Sequence, residues 1–520
     1  MRRIFLLILL FSMLISCQKQ NSSYRKLRGR GFFYEKNRSF EAIPIKVNIA
    51  PEIHIASESR YNISSPFFAS SYMERFVSRA IHGTLLMLDP SDGSYISNIA
   101  TYQLIDSKIV LELSNSFKFS NGKSVTPDDV VASLNFFSDV LFDSEYHDKY
   151  FSYDKSPSFS LVGKTLEVDT TLGQADVMRF LSEFPILQSE ELERYVDYQM
   201  LSLDTQFVGC GPYRVSNRSA SSVVLQANEH YYKKDVLGNS FPYTKTIVLR
   251  YYDTTQELVQ DYMQGNVDLF RASVGEVQML QPVLMNENTN MKALVTGLSS
   301  RKIVTVYNGF ADNSRSYMKE RDVRAYLSEV VSNVATDSPL SEVTDFIGGK
   351  TFCGINFSRD DFDFEAGCVA YKGESLSIRA FVYSDDIDTR QRLSTSLKAV
   401  FDDEHIKCSV STIDSSADFY ECVYSGEYDL MLVDYDVSNL SRAKMNEEFS
   451  MLFDMRAPAS FMNSDDYQDY IDSEIQFAPV IERSECYLIK STLENFFYNA
   501  KYSTEPDLKS IEYMFVEMNR

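Results

Sequence analysis

Residues 117–137 read FKFSNGKSVTPDDVVASLNFF, and no other stretch restricts the local fold so closely. Phe117 and Phe119 alternate with Ser116, Lys118 and Ser120, which puts two aromatics on one face of an extended segment. Asn121-Gly122 follows, a pair that tolerates positive φ at both centres of a two-residue hairpin turn. Thr126 then offers a hydroxyl to cap a helix, and Pro127 suits the first helical position because its missing N–H would be unpaired there anyway. Asp128 and Asp129 place negative charge at the positive end of the helix dipole. Val130, Leu134, Phe137 and Leu141 recur on one helical face. The reading is strand, turn and capped amphipathic helix. It contains no nucleophile, metal cluster or phosphate loop, so its residue content is scaffold.

A chain of 520 residues is too long for one core, and two or three domains are expected. The first seventeen residues, MRRIFLLILLFSMLISC, begin with two arginines. The apolar run Ile4 to Ile15 is shorter than the roughly twenty residues that a spanning helix needs. It ends in Leu14-Ile15-Ser16-Cys17, which resembles a bacterial lipobox: a small residue before a Cys that is diacylglycerol-modified and becomes the new N-terminus. Residues 1–16 are thus expected to be a leader and 17–40 a polar, basic tether. The first forty residues carry nine Lys/Arg and one Glu of a chain whose net charge is −22, which leaves the body at −30. Such a body repels phosphate and makes a nucleic-acid partner unsuitable.

Beyond Cys17 there are six cysteines and no CxxC. In an export compartment the nearby pairs Cys353–Cys368 and Cys408–Cys422 are candidates for disulfides, with buried free thiols as the alternative. The sequence has no GxSxG, HExxH, Walker or GxGxxG motif, and its five histidines are scattered singly. No residue-level feature supports an enzyme, a metal site or a cofactor. Trp is absent, so any aromatic pocket is built from the 33 Tyr and 36 Phe.

The order of segments carries more than their content. FKFSNGKSVTPDDVVASLNFF and the preceding LLMLDPSDGSYISNIATYQLIDSKIVLEL resemble the family 5 extracellular solute-binding proteins, the receptors of oligopeptide and dipeptide ABC importers. The resemblance continues in order through VGCGPYRVSNRSASSVVLQANEHYY, TIVLRYYDTTQELVQDYMQGNVDLF, IVTVYNGFADNSRSYMKERDVRAYLSEVVSN, EYDLMLVDYD and FAPVIERSECYLIK. It covers most of residues 80–490.

That resemblance implies an α/β fold: two hinged lobes of the type II-like periplasmic-binding-protein kind, with an additional third domain. Residues 41–70, 200–297 and 477–520 would form the first lobe, 71–199 the extra domain and 298–476 the second lobe. It further implies an oligopeptide held between the lobes, delivery to ABC permease subunits, no catalysis, no cofactor, and a lipid-anchored monomer on the periplasmic side of the cell envelope. Other solutes on the same scaffold are peptidoglycan-derived peptides, metal chelates and haem, and a surface lipoprotein that has lost transport is a further alternative. Ligand contacts are expected at Ser71, Tyr72, Asp434, Tyr435, Asp436 and Ser438. Tyr435 stands where peptide receptors of the family have Trp, and Ser438 where they have the Asp that neutralises the peptide ammonium. Asp436, two residues earlier on the same strand face, is the expected substitute, with Asp434 the other choice. Residues 464–480 also run almost directly into the closing segment, without the helix that usually separates them.

Overall fold

The computed structural model describes residues 32–34, 47–57, 64–69, 72–89, 92–142, 144–148, 150–151, 155–272, 274–286, 290–309, 314–334, 341–344, 355–365, 367–384, 387–436, 474–496 and 508–518. A twelve-stranded sheet organises them. Its path runs Lys407–Ile413, Ser377–Tyr383, Leu430–Asp436, Met291–Tyr307, Phe477–Lys490, Leu269–Arg271, Glu52–Ser57, Thr246–Tyr251, Ser222–Ala227, Tyr213–Arg218. Two short strands join off this path: Phe32–Tyr34 pairs with Met291–Tyr307, and Ser341–Thr344 with Phe477–Lys490.

The sheet has two halves, each covered by helices on both faces. In one half Ile53, Ile55 and Ile247 pack with Met73, Phe76 and Val77 of the helix Tyr72–Ile81. Ala56 and Phe270 pack on the opposite face with Leu258 and Tyr262 of the helix Thr255–Met263. In the other half Leu430 and Leu432 join Val323 and Leu327 of the helix Arg321–Val331 and Leu393 and Leu397 of the helix Ile387–Asp403. Met431 and Val433, one position out of phase, join Phe419 and Val423 of the helix Ser416–Ser425. This alternation follows from the two-residue period of a strand buried on both faces.

Between Glu52–Ser57 and Tyr213–Arg218 the chain leaves the large sheet. It forms a four-stranded antiparallel sheet, Ala100–Ile105, Lys108–Leu113, Thr165–Asp169 and Phe159–Val162, and a core rich in phenylalanine. The opening stretch of the sequence lies here. Phe117, Phe119, Val130, Leu134, Phe137 and Leu141 are all buried, as their spacing requires. Thr126 caps the helix Pro127–Asn135 in a reciprocal capping box with Asp129. Two details differ from expectation. Phe117–Ser120 makes only one ladder bridge, Lys118 to Ser124, rather than a strand. The turn is also longer than two residues: Phe119 N–H donates to Lys123, Gly122 N–H donates to Phe119, and of Asn121 and Gly122 only Gly122 has positive φ, at +87°. A three-residue loop that ends in a left-handed glycine needs one such residue, whereas the two-residue turn needs two.

Candidate functional site

Strand direction locates the site. Glu52–Ser57, Thr246–Tyr251 and Leu269–Arg271 are mutually parallel. So are Ser377–Tyr383, Lys407–Ile413 and Leu430–Asp436. The long strands Met291–Tyr307 and Phe477–Lys490 run antiparallel to each other through both halves. In the first half Arg271, the last residue of its strand, pairs with Tyr487, and Tyr487 pairs with Leu294. In the second half Asp436, the last residue of its strand, pairs with Arg301. Both parallel sets therefore end on the same stretch, residues 295–300, from opposite sides. Seven steps separate Leu294 from Arg301, roughly 20 Å at the rise of a strand. The ladder shifts register between Val295 and Leu298 and again between Leu298 and Lys302. In open α/β sheets solutes bind beyond the carboxyl ends of the strands, where connections diverge. Here two such edges face one seam, joined by two irregular strands.

The side chains at the second edge are tied together. Arg390 donates from Nη1 to the Ser384 carbonyl at 3.3 Å and to the Ile413 carbonyl at 2.7 Å, which fixes the ends of two neighbouring strands. Its other nitrogen lies 3.3 Å from Asp414. Asp434 is buried, and its Oδ2 accepts the Ser384 hydroxyl at 2.7 Å. Tyr435 is half-buried beside the cluster of Met431, Val433 and Phe419. Tyr383 ends its strand stacked on Phe419, with ring centroids 4.4 Å apart. Tyr435 pairs with Lys302, and Lys302 with Glu482, whose carboxylate accepts from the Lys302 ammonium. At the first edge Tyr252 follows directly on its strand and donates to Asp261 at 2.7 Å. Burial, reinforced by that hydrogen bond, pushes the Tyr252 phenol up to about 12, so it acts as a donor at any physiological pH.

The six expected contact residues fare unequally. Asp434 and Tyr435 lie at the seam on opposite faces of their strand. Asp436 ends that strand on the same face as Asp434, and Tyr72 opens the helix Tyr72–Ile81; only their backbones are described. Ser71, Ser438, the lipidation candidate Cys17 and the shortened segment 464–473 fall outside the described residues. Sequence reasoning missed Lys302, Glu482, Arg390 and Ser384. Their roles depend on strand pairing over long separations, and nothing in their local sequence signals it.

One disulfide expectation is corrected. Cys408 and Cys422 are both free. Cys408 packs with the cluster on one face of the sheet and Cys422 with the cluster on the other, so the sheet itself separates them. Burial raises their thiols to about 12 and about 11. Cys368 is also free, and Cys353 lies outside the described residues. Among the described residues no three His, Cys, Asp or Glu side chains gather as a metal site. No described helix is long and apolar enough to cross a membrane.

Residues 106–326 match the model of the bacterial extracellular solute-binding proteins, family 5, middle region. That stretch of the chain is similar to the family's middle region. Solved structures share its fold across most of its length. The oligopeptide-binding protein AppA from Bacillus subtilis, in complex with a nonapeptide, superposes with a TM-score of 0.65 at 13% identity, covering 91% of this chain and 100% of that one. NikZ from Campylobacter jejuni, in complex with Ni(L-His), gives 0.61 at 14%, covering 86% and 96%. AgaA from A. tumefaciens R10, in complex with agropinic acid, gives 0.63 at 15%, covering 90% and 99%. No curated protein sequence matches the chain. These three neighbours are thus in complex with a nonapeptide, Ni(L-His) and agropinic acid respectively.

Proposed function

We propose that the chain is the substrate-binding component of an ABC importer, which captures an oligopeptide at the seam and delivers it to membrane permease subunits. The observation that carries this reading is the convergence of two sets of strand carboxyl ends on residues 295–300 of shared strands. A solute between the edges touches both halves at once. The closed state then gains contacts that the open state lacks, and binding drives closure. A peptide suits a seam of about 20 Å, because its backbone offers regularly spaced donors and acceptors whatever its side chains.

The proposed organisation is a leader, residues 1–16; a tether, 17–40; a first lobe from 41–70, 200–297 and 477–520; an extra domain, 71–199; and a second lobe, 298–476. Acylation of Cys17 would hold the chain on the envelope membrane, with the seam free to exchange solute on the periplasmic side. Asp436 is the proposed anchor for the peptide ammonium, because Asp434 is buried and already accepts the Ser384 hydroxyl.

Mass spectrometry of ligand released from natively purified protein tests the reading. Peptides of mixed sequence and narrow length are expected, recovered uncleaved. Recovery of a metal chelate or a non-peptide acid instead would remove the peptide assignment and leave the receptor assignment standing. In parallel, a Cys17→Ser variant is expected to lose acyl label and leave the membrane fraction.

A further inference from the structure

We infer that the turn Asp235–Asn239 is a membrane contact: its apolar tip, Val236 and Leu237, enters the bilayer interface and sets the orientation of the receptor on the envelope membrane. The inference rests on the proposed Cys17 anchor and goes beyond it, from attachment to orientation.

The construction of the tip is the first observation. Phe241 N–H donates to the Lys233 carbonyl at 3.1 Å and Asp235 N–H to the Asn239 carbonyl at 2.9 Å, so residues 233–241 close into a short arm. The buried Asp235 carboxylate fixes the end of that arm. It accepts from the Leu237 and Asn239 N–H groups, both at 2.8 Å, from Asn239 Nδ2 at 2.7 Å and from the Tyr243 hydroxyl at 2.6 Å. Yet Val236 is 91% exposed and Leu237 54%. A Cβ added at Gly238 would meet nothing within 4 Å. Two aliphatic side chains are thus held out in water by a turn whose carboxylate is turned inward. Such a preorganised tip loses little freedom on insertion. The exposed ions nearby are mixed in sign: Glu229, Lys234, and Lys118 beside the Phe117 ring that packs on Tyr232. The tip is therefore apolar rather than charged in character.

Its place in the fold is the second observation, independent of the first. Thr246 begins its strand level with Glu52 and opposite Gln226, so the connection 228–245, which carries the arm, leaves the sheet at the end away from the seam. Phe32–Tyr34 runs parallel to Ala293–Val295, which heads for the seam, so the chain enters Phe32 from the side of that same far end. Along the sheet, six strand spacings separate Phe32–Tyr34 from Ser222–Ala227, roughly 29 Å. Fourteen residues lie between Cys17 and Phe32, with a reach of up to about 46 Å. A bilayer that holds an acylated Cys17 is thus within reach of the whole far end and meets the tip there, with the seam turned away from the lipid. A protruding tip enters a fluid apolar phase directly, whereas a protein partner would have to supply a matching pocket.

The chain has no Trp, so a single introduced Trp reports on its own site alone. Leu237→Trp is compared with Tyr424→Trp, a residue 76% exposed on the helix Ser416–Ser425 of the other half. Both are made in the acylated full chain on vesicles of phosphatidylethanolamine and phosphatidylglycerol. The emission of Leu237→Trp is expected to shift to the blue on the vesicles, and to be quenched most by a lipid-borne quencher roughly 5–10 Å below the headgroups. Tyr424→Trp is expected to show neither effect. Val236→Trp repeats the test at the neighbouring position if Leu237→Trp does not fold. Vesicle-bound chain in which the tip Trp does not respond, or in which Tyr424→Trp responds equally, overturns the contact and leaves the anchor standing. A response seen only when permease subunits share the vesicle assigns the tip to a protein partner and also overturns the inference. Chain that carries no acyl group and does not float with the vesicles overturns the anchor, and the contact with it.

Discussion

At the scale of single residues, Gly211 and His82 show what burial demands. Gly211 N–H donates to the Ile81 carbonyl at 2.7 Å, so the two backbones touch. A Cβ there would lie 2.6 Å from the Ile81 carbonyl carbon and 2.7 Å from the Ala80 oxygen, both main-chain atoms that cannot swing away. The constraint is space rather than torsion, and GCGPY alone could not reveal it because the partner lies 130 residues upstream. Gly211→Ala is expected to lower the thermal midpoint by about 2–12 °C, the range that overpacking by about 1–3 kcal/mol implies. Gly163→Ala meets no atom within 4 Å and pays only for its left-handed φ of +65°, so its loss should be smaller. Equal losses would refute the spatial account. His82 follows directly, buried, with its Nδ1 lacking a hydrogen-bond partner among the described residues. Burial lowers its pKa from 6.5 to about 4. The unfolded chain therefore takes up a proton near pH 6.5 and the folded one only near pH 4. Stability from this group is intact above pH 6.5, falls as pH drops between the two values, and is fully lost below 4, a difference of about 3 kcal/mol. In a comparison of midpoints from pH 7 to 4, His82→Asn should show a shallower decline than the natural chain. Parallel curves would mean that other groups control the acid response.

At the scale of elements, the helix start at Thr126 was fully legible, and the structure adds a second duty to it. Asp129 accepts from Thr126 N–H at 2.9 Å and from the Thr126 hydroxyl at 2.7 Å through one oxygen. Its other oxygen accepts from Ser189 N–H at 2.9 Å and the Ser189 hydroxyl at 3.0 Å. One buried carboxylate thus caps Pro127–Asn135 and pins the start of Ser189–Leu192 against it. Local spacing announces the cap, but the pin joins residues sixty apart and leaves no trace in sequence. Asp129→Ala removes both and strands donors, at about 2–4 kcal/mol from a lost cap and lost charged hydrogen bonds. Amide exchange should accelerate in both helices together. Acceleration in Pro127–Asn135 alone would show that the pin carries little. The three-residue turn at Ser120–Gly122 was misjudged for a related reason: Asn-Gly marks a hairpin, but its length is set by what flanks it. Here Ser120 N–H donates to Gly209 and is drawn into the loop rather than the ladder.

At the scale of the molecule, the order of segments along the chain indicated the architecture, while the site had to wait for strand register. Sequence showed that the segment holding Asp434, Tyr435 and Asp436 is a strand, but not that it pairs with Arg301–Tyr307 and so ends where the other half also ends. Register now separates the two candidate anchors. Asp434, 3% exposed, holds the Ser384 hydroxyl, and its carboxylate serves the loop that Arg390 also braces. Asp436 is the last residue of its strand, two residues nearer the seam on the same face. An ammonium taken into a closing seam loses its water, and its attraction to one carboxylate rises as water leaves. Removing one partner of a buried charge pair costs about 3–5 kcal/mol, against at most about 1 for an exposed pair. Asp436→Asn should therefore weaken a free-amine peptide by about a hundredfold or more, and leave the N-acetylated peptide nearly untouched. Asp434→Asn should instead lower stability and affect both peptides alike, because it disturbs the edge rather than the ligand. If Asp434→Asn discriminates between the two peptides and Asp436→Asn does not, the anchor lies two residues deeper, and the peptide must enter the second half further than strand register implies.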